Sequence, residues 1–215
     1  VNFIPFSLPE INADEINAVS NVLRSGWLTS GPCVNKFESE FTSFLGLKNV
    51  EAIAVNSATS GLHLALEAFG VGKGDSVITT THTFTATAEV IRYLGADPIF
   101  VDVCDDSLCI DVSKIEEKVR ANTKAIIPVH FAGLSCDMKS IIKIAKKFGL
   151  KILEDAAHAL PCTFGEQNIG SLKTDATVFS FYANKTMTTG EGGMLITSNK
   201  DIANRARVMR LHGIN

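Results

Sequence analysis

The chain has 215 residues, 46% hydrophobic and 20% charged, with a formal net charge of −3. That apolar content excludes a disordered chain, and interleaved charges of small net value leave no basic footprint for nucleic acid. Its five cysteines are widely spaced without a CxxC pair, which supports neither a disulfide framework nor a structural zinc site.

No apolar run approaches the ~20 residues of a membrane span, so no membrane insertion is expected. Neither does a basic region lead into a signal-like apolar segment. A reducing, cytoplasmic setting is the expectation. Size allows one large domain or two small ones.

In chain order, 14–24 and 36–45 read as helices joined by Gly26-Trp27-Leu28-Thr29-Ser30-Gly31-Pro32. Residues 1–48 are expected to pack across the rest, 49–215, without forming an independent domain. Glu51 to Val55 reads as a short buried strand, with Ser57 to Ser60 supplying small polar caps before a helix over 62–69. A strand over 76–80, a helix over 84–94 and a strand over 98–103 follow. The cycle repeats as helix 112–120, strand 124–129, helix 137–147 and strand 150–154. In helix 137–147 the apolar residues recur at helical spacing opposite Lys143, Lys146 and Lys147, a solvated basic face. Strands over 176–180 and 193–197 and a helix over 199–212 complete the pattern. Buried strands alternating with helices argue for an α/β three-layer sandwich with a mainly parallel sheet. Strand order is not readable from this pattern.

Candidate chemistry gathers at strand ends, where ligands meet open α/β sheets. Asn56-Ser57-Ala58-Thr59-Ser60-Gly61 puts hydroxyls at a helix start, where free N–H groups and the dipole attract phosphate. The same residues are also ordinary helix caps. No GxGxxG or GxxxxGK[ST] motif supports a dinucleotide or P-loop site. Asp155 ends an apolar strand in Glu154-Asp155-Ala156-Ala157-His158-Ala159, where a carboxylate can keep a pyridine nitrogen protonated. His158 shares its turn. Ser180 ends a later strand, and Lys185 follows in a stretch of hydroxyls and glycine ending Gly190-Glu191-Gly192-Gly193. A lysine amine so placed can bond covalently to an aldehyde cofactor, although a surface lysine is the plain alternative. Phe84 follows a strand and can stack on a flat ring or join the core. His130 and His82 lie at strand ends too, with no proton-transfer task assigned locally. Histidines without a ligand pattern leave metal catalysis unsupported.

Together these segments resemble the DegT/DnrJ/EryC1/StrS family of pyridoxal-phosphate-dependent nucleotide-sugar aminotransferases, of fold type I, through nearly the whole chain. The motifs that carry the resemblance are the segment 26–32, Asn56 to Ser60, Glu154 to Ala159 and Ser180 to Gly193, in that order. The resemblance implies a pyridoxal 5′-phosphate cofactor joined to Lys185, with Asp155 on its ring nitrogen. It further implies that Phe84 stacks on the ring, that His158 lies near its phenolic oxygen, and that Thr59, Ser60 and Ser180 hold its phosphate. The substrates implied are a nucleotide-linked keto sugar and an amino donor, commonly glutamate, with residues 27–31 near the sugar entrance. Relatives with histidine in place of the lysine dehydrate sugars, so Lys185 favours transamination over a dehydratase or a noncatalytic regulator. Family members are usually longer, homodimeric and equipped with a C-terminal small domain, which this segment is expected to lack; the partner commonly adds phosphate contacts.

Overall fold

In the computed structural model the described residues are 3–214. Val1, Asn2 and Asn215, at the outer edges of the two expected segments, lie outside them.

Short runs of Val, Ile, Ala and Thr form the strands, because β-branched side chains suit a pleated surface. They are β1 (Glu51–Val55), β2 (Ser76–Thr80), β3 (Asp97–Val101), β4 (Thr123–Ile127), β5 (Lys151–Asp155), β8 (Ala176–Ser180) and β9 (Gly193–Thr197). These make one seven-stranded sheet in the order β1-β9-β8-β5-β4-β2-β3. Every pairing is parallel except the two made by β9. A separate two-stranded ribbon, β6 (Thr163–Phe164) with β7 (Gln167–Asn168), has no counterpart in the sequence reading.

Alternation along the strands builds a core on each face. Ile53, Val77, Ile127, Leu153, Val178 and Leu195 meet Leu62, Leu66, Val90 and Ala203 of α3 (Ala58–Ala68), α4 (Thr85–Tyr93) and α6 (Lys200–Arg210). Ile78, Ile126 and Ile152 point the other way, onto Met138, Ile141 and Ile144 of α5 (Met138–Phe148). On that second face Phe179, Phe181, Met194 and Ile196 pack with Phe41 of α2 (Pro32–Phe44). Phe41 meets Phe179 and Phe181 edge to face, at centroid distances of 5.3 and 5.5 Å. The result is the expected three-layer α/β sandwich. Burying each such side chain contributes ~1.5–3 kcal/mol.

α5 shows how local signals set the bounds. Asp137 caps its start by accepting from Ser140 N at 3.1 Å, and Gly149 ends it in the left-handed region at φ 68°. By contrast, the helix expected over 112–120 is two single 3-10 turns, Val112–Lys114 and Glu116–Lys118. Asp111 accepts from both the N–H and the hydroxyl of Ser113, tightening the first turn, and Ile115 alone is fully buried there. α3 begins four residues earlier than the helix read from the sequence, since Ser57 itself is the cap and accepts from Ser60 N.

Near the N-terminus, α2 is held to the sheet by its phenylalanines, whereas none of the residues of α1 (Ala13–Ser25) is buried.

The antiparallel strand has a positional consequence. β8 runs out at Ser180 and β9 returns from Gly193, its direct partner, so the loop between them begins and ends at one sheet edge. Val55, the last residue of β1, also pairs with Gly193. The ends of β1, β2, β4, β5 and β8 therefore share that edge with the loop bearing Lys185.

Candidate functional site

A cavity of about 640 Å³ opens along this edge. Thr59, Phe84, Asp155, His158, Ser180 and Lys185 all line it. Ser60 stands apart: its hydroxyl donates to Asn56 Oδ1 at 2.5 Å, and it lines a smaller hollow beside His63 and Arg210. Consecutive helical residues point about 100° apart, so Thr59 and Ser60 face different spaces.

The start of α3 is pressed against the sheet. A Cβ on Gly193 would lie 2.7 Å from Ala58 N, so glycine is what allows the turn at Ser57 to sit directly over β9. The first-turn N–H groups of α3, which have no intrahelical acceptors, are thereby held beside Ser180 at the cavity wall.

Asp155 is 4% exposed. Its Oδ2 accepts from Thr87 Oγ1 at 2.8 Å and its Oδ1 from Ala157 N at 3.1 Å. Burial pushes its pKa above the ordinary carboxylate value, against the opposing pull of those two donors and the nearby His130 and His158. No Lys or Arg is bonded to it among the described residues, so a buried acid faces the cavity with acceptor capacity to spare. Thr87, itself bonded to Thr83 at 2.7 Å, is a site residue the sequence reading missed. Its position one turn after Phe84 carried no signal, because only the packing of α4 brings it to β5.

Lys185 is half-buried, and burial lowers its pKa while the Asp155 carboxylate opposes that shift. The loop around it is stiffened by its own hydroxyls. Lys185 N donates to Tyr182 O at 2.9 Å, and Thr188 Oγ1 and Thr189 N both donate to Phe181 O at 3.0 Å. Gly190, at φ 82°, supplies the left-handed turn. His158 is exposed at the cavity rim; partial desolvation and then the Lys185 charge lower its pKa, and the Asp155 carboxylate opposes them. Phe84, at the N-cap of α4, is 78% exposed, which leaves its ring face free for a flat partner.

These residues fit a phosphorylated pyridine aldehyde. The helix start suits phosphate, the buried acid suits a ring nitrogen, the exposed phenyl ring suits stacking, and a partly desolvated amine suits the aldehyde. Among the described residues no cluster of His, Cys, Asp and Glu is arranged to hold a metal ion.

Behind Asp155 lies a brace centred on the buried Glu154 and His130. Glu154 Oε2 meets His130 Nε2 at 3.0 Å, while Glu154 Oε1 accepts from Thr174 Oγ1 at 2.6 Å and Thr177 Oγ1 at 2.8 Å. His130 Nδ1 accepts from Cys136 N at 3.2 Å, so Nε2 carries the hydrogen toward the carboxylate. One side chain thus ties β5 to β8 and to the segment after β4. Glu154→Ala leaves all three partners unpaired and is expected to cost ~1–3 kcal/mol for each group left without an acceptor, read as a lower urea midpoint. A change below ~1 kcal/mol would show that the brace is not structural.

A model of the DegT/DnrJ/EryC1/StrS aminotransferase family matches residues 9–215. The chain is 50% identical over 214 residues to the spore coat polysaccharide biosynthesis protein SpsC of Bacillus subtilis (strain 168), covering 100% of this chain and 54% of that protein. Helicobacter pylori PseC, an aminotransferase involved in the biosynthesis of pseudoaminic acid, has a TM-score of 0.91 at 34% identity, over 98% of this chain and 56% of its own. DesI, solved in the presence of its TDP-sugar product, has a TM-score of 0.86 at 35% identity, over 93% and 50% respectively. The chain spans about half the length of the curated relatives it matches.

Proposed function

The chain belongs to the DegT/DnrJ/EryC1/StrS aminotransferase family, and from that membership we propose that it carries the cofactor-binding part of an aminotransferase acting on a nucleotide-linked keto sugar. The observation that supports this most is the convergence of Lys185, Asp155 and the start of α3 on one cavity. Pyridoxal phosphate, when bound, supplies an aldehyde for covalent capture of amines and an electron-withdrawing ring that spreads the charge left at a deprotonated carbon.

The residues around it have separable tasks. The N–H groups of α3, with Thr59 and Ser180, hold the phosphate. Asp155 supplies the negative charge that keeps the ring nitrogen protonated, and Phe84 covers the ring. Lys185 Nζ removes the Cα proton of the amino donor in the first half-reaction. In the second, it returns a proton to the sugar carbon that was the ketone. Its lowered pKa keeps more of the amine in the basic form that this task needs. The net exchange is amino acid plus keto sugar for 2-oxo acid plus amino sugar.

Glutamate is the amino donor we favour, and a homodimer in the cytoplasm the assembly. Among the described residues no helix is long and apolar enough to cross a membrane. The lysine at 185 favours transfer of an amine over sugar dehydration, and over a noncatalytic binding role. The test uses full-length protein loaded with pyridoxal phosphate, glutamate, and a panel of 3-keto and 4-keto nucleotide sugars. Sugar-dependent formation of 2-oxoglutarate with an aminated sugar is the expected result. Dehydration of the sugar without net amine transfer would overturn the reading.

A further inference from the structure

His82 lines the same cavity, and none of the tasks above uses it. Its Nδ1 is buried with no hydrogen-bond partner among the described residues. An N–H buried without an acceptor is costlier than a lone pair so placed, which favours the tautomer with hydrogen on Nε2. Nε2 is the nitrogen left to meet the cavity, and in that tautomer it is a donor. The ring is braced from behind by Phe131, at a centroid distance of 4.2 Å and a tilt of 45°. Phe131 in turn leans toward His158 at 6.0 Å. One wall of the cavity is therefore a row of aromatic planes with the His82 Nε2–H as a fixed donor at one end.

The cavity's charge lies elsewhere. Lys185 is the one lysine or arginine among the described residues lining it. A carboxylate ligand calls for a cation, best a forked one. A neutral donor on a flat apolar wall instead matches a hydroxyl or carbonyl oxygen on a ring whose C–H face can lie against aromatics, which is the chemistry of a sugar.

We infer that His82 determines specificity for the sugar substrate, its Nε2–H donating to an uncharged oxygen of the sugar ring while Phe131 holds the imidazole in place. This rests on the aminotransferase reading above, and the two half-reactions separate the one from the other. The amino-donor half is followed by the cofactor's absorbance change with glutamate alone, and the sugar half with each keto nucleotide sugar that the wild type aminates.

His82→Leu keeps the bulk and removes the donor. It is expected to raise KM for the keto sugar about tenfold, the effect of one lost hydrogen bond with its partner left unpaired, while the glutamate half-reaction keeps its rate. Titration calorimetry with the same nucleotide sugar and unloaded protein should show a matching fall in affinity. His82→Gln, whose amide nitrogen reaches the place of Nε2, should return KM to within about threefold of wild type. The inference fails if His82→Leu slows both half-reactions alike, if it moves neither, or if His82→Gln binds sugar as weakly as His82→Leu. Should the leucine variant not fold, the glutamine variant decides, weak sugar binding overturning the inference. A wild type with no glutamate half-reaction overturns the aminotransferase reading itself, and the inference with it.

Discussion

Replacing Lys185 by alanine abolishes borohydride-stable attachment of pyridoxal phosphate and lowers turnover by about 10³-fold or more, as expected for a side chain that serves as both covalent anchor and proton carrier. Lys185 is half-buried, and its backbone N–H, not its amine, holds the loop through Tyr182 O. The hydroxyls of Thr188 and Thr189 are untouched by the change, so the loop and the fold should persist. The variant should still bind the cofactor noncovalently, through the start of α3 and Asp155. Lys185→Arg should be equally inactive, because a guanidinium does not deprotonate in this range and cannot condense with an aldehyde. A second readout needs no cofactor. The Lys185 charge depresses His158, after the larger effect of partial desolvation, so its removal should raise the His158 pKa in an NMR titration. Peptide mapping that places the reduced cofactor on another residue, or an alanine variant within tenfold of wild-type turnover, would sink the assignment.

The parts of this site that could be read from the sequence are those set by local chain chemistry. β1, β2, β8 and β9 match the expected strands at both ends; each is a run rich in β-branched and other apolar residues with a turn-forming neighbour at one boundary, Asn56, Asp75, Asp175 or Gly192. Asp155 and Ser180 were recognisable because each is a polar residue closing an apolar strand, and Lys185 follows within one loop. What escaped is set by tertiary packing. The reversal of β9 depends on pairing with both β8 and β1, and nothing in Gly193 to Thr197 records a direction. Thr87 meets Asp155 across 68 positions of sequence, and the sequence places it on α4 without saying which way its hydroxyl turns. The β6–β7 ribbon has strands of two residues, too short for any alternation to declare itself. Ser60 shows the converse: motif position groups it with Thr59, and the helical turn sends its hydroxyl to another hollow.

Asp155→Asn separates the cost of a buried charge from its use. An asparagine can keep both local contacts, its carbonyl accepting from Ala157 N and its amide donating to Thr87 Oγ1, which is free to turn toward Thr83. Only the charge is lost. In the unloaded protein burial raises the carboxyl's folded pKa above its unfolded value. A group shifted that way contributes stability fully below the unfolded value, about 4, and loses it as pH rises through the folded one. Wild-type Tm should therefore fall relative to the asparagine variant over that interval, leaving the unloaded variant the more stable near neutral pH. Pyridoxal phosphate should reverse the order. A protonated ring nitrogen gives the wild-type carboxylate a cationic partner, whereas the neutral amide cannot favour the protonated ring, so the loaded wild type should melt higher and turnover of the variant should fall ~10²–10³-fold. The two melting curves, recorded with and without cofactor at several pH values, read both halves. An asparagine variant that is less stable than wild type in both states would mean that Asp155 is a structural acid, with no part in holding a pyridine nitrogen.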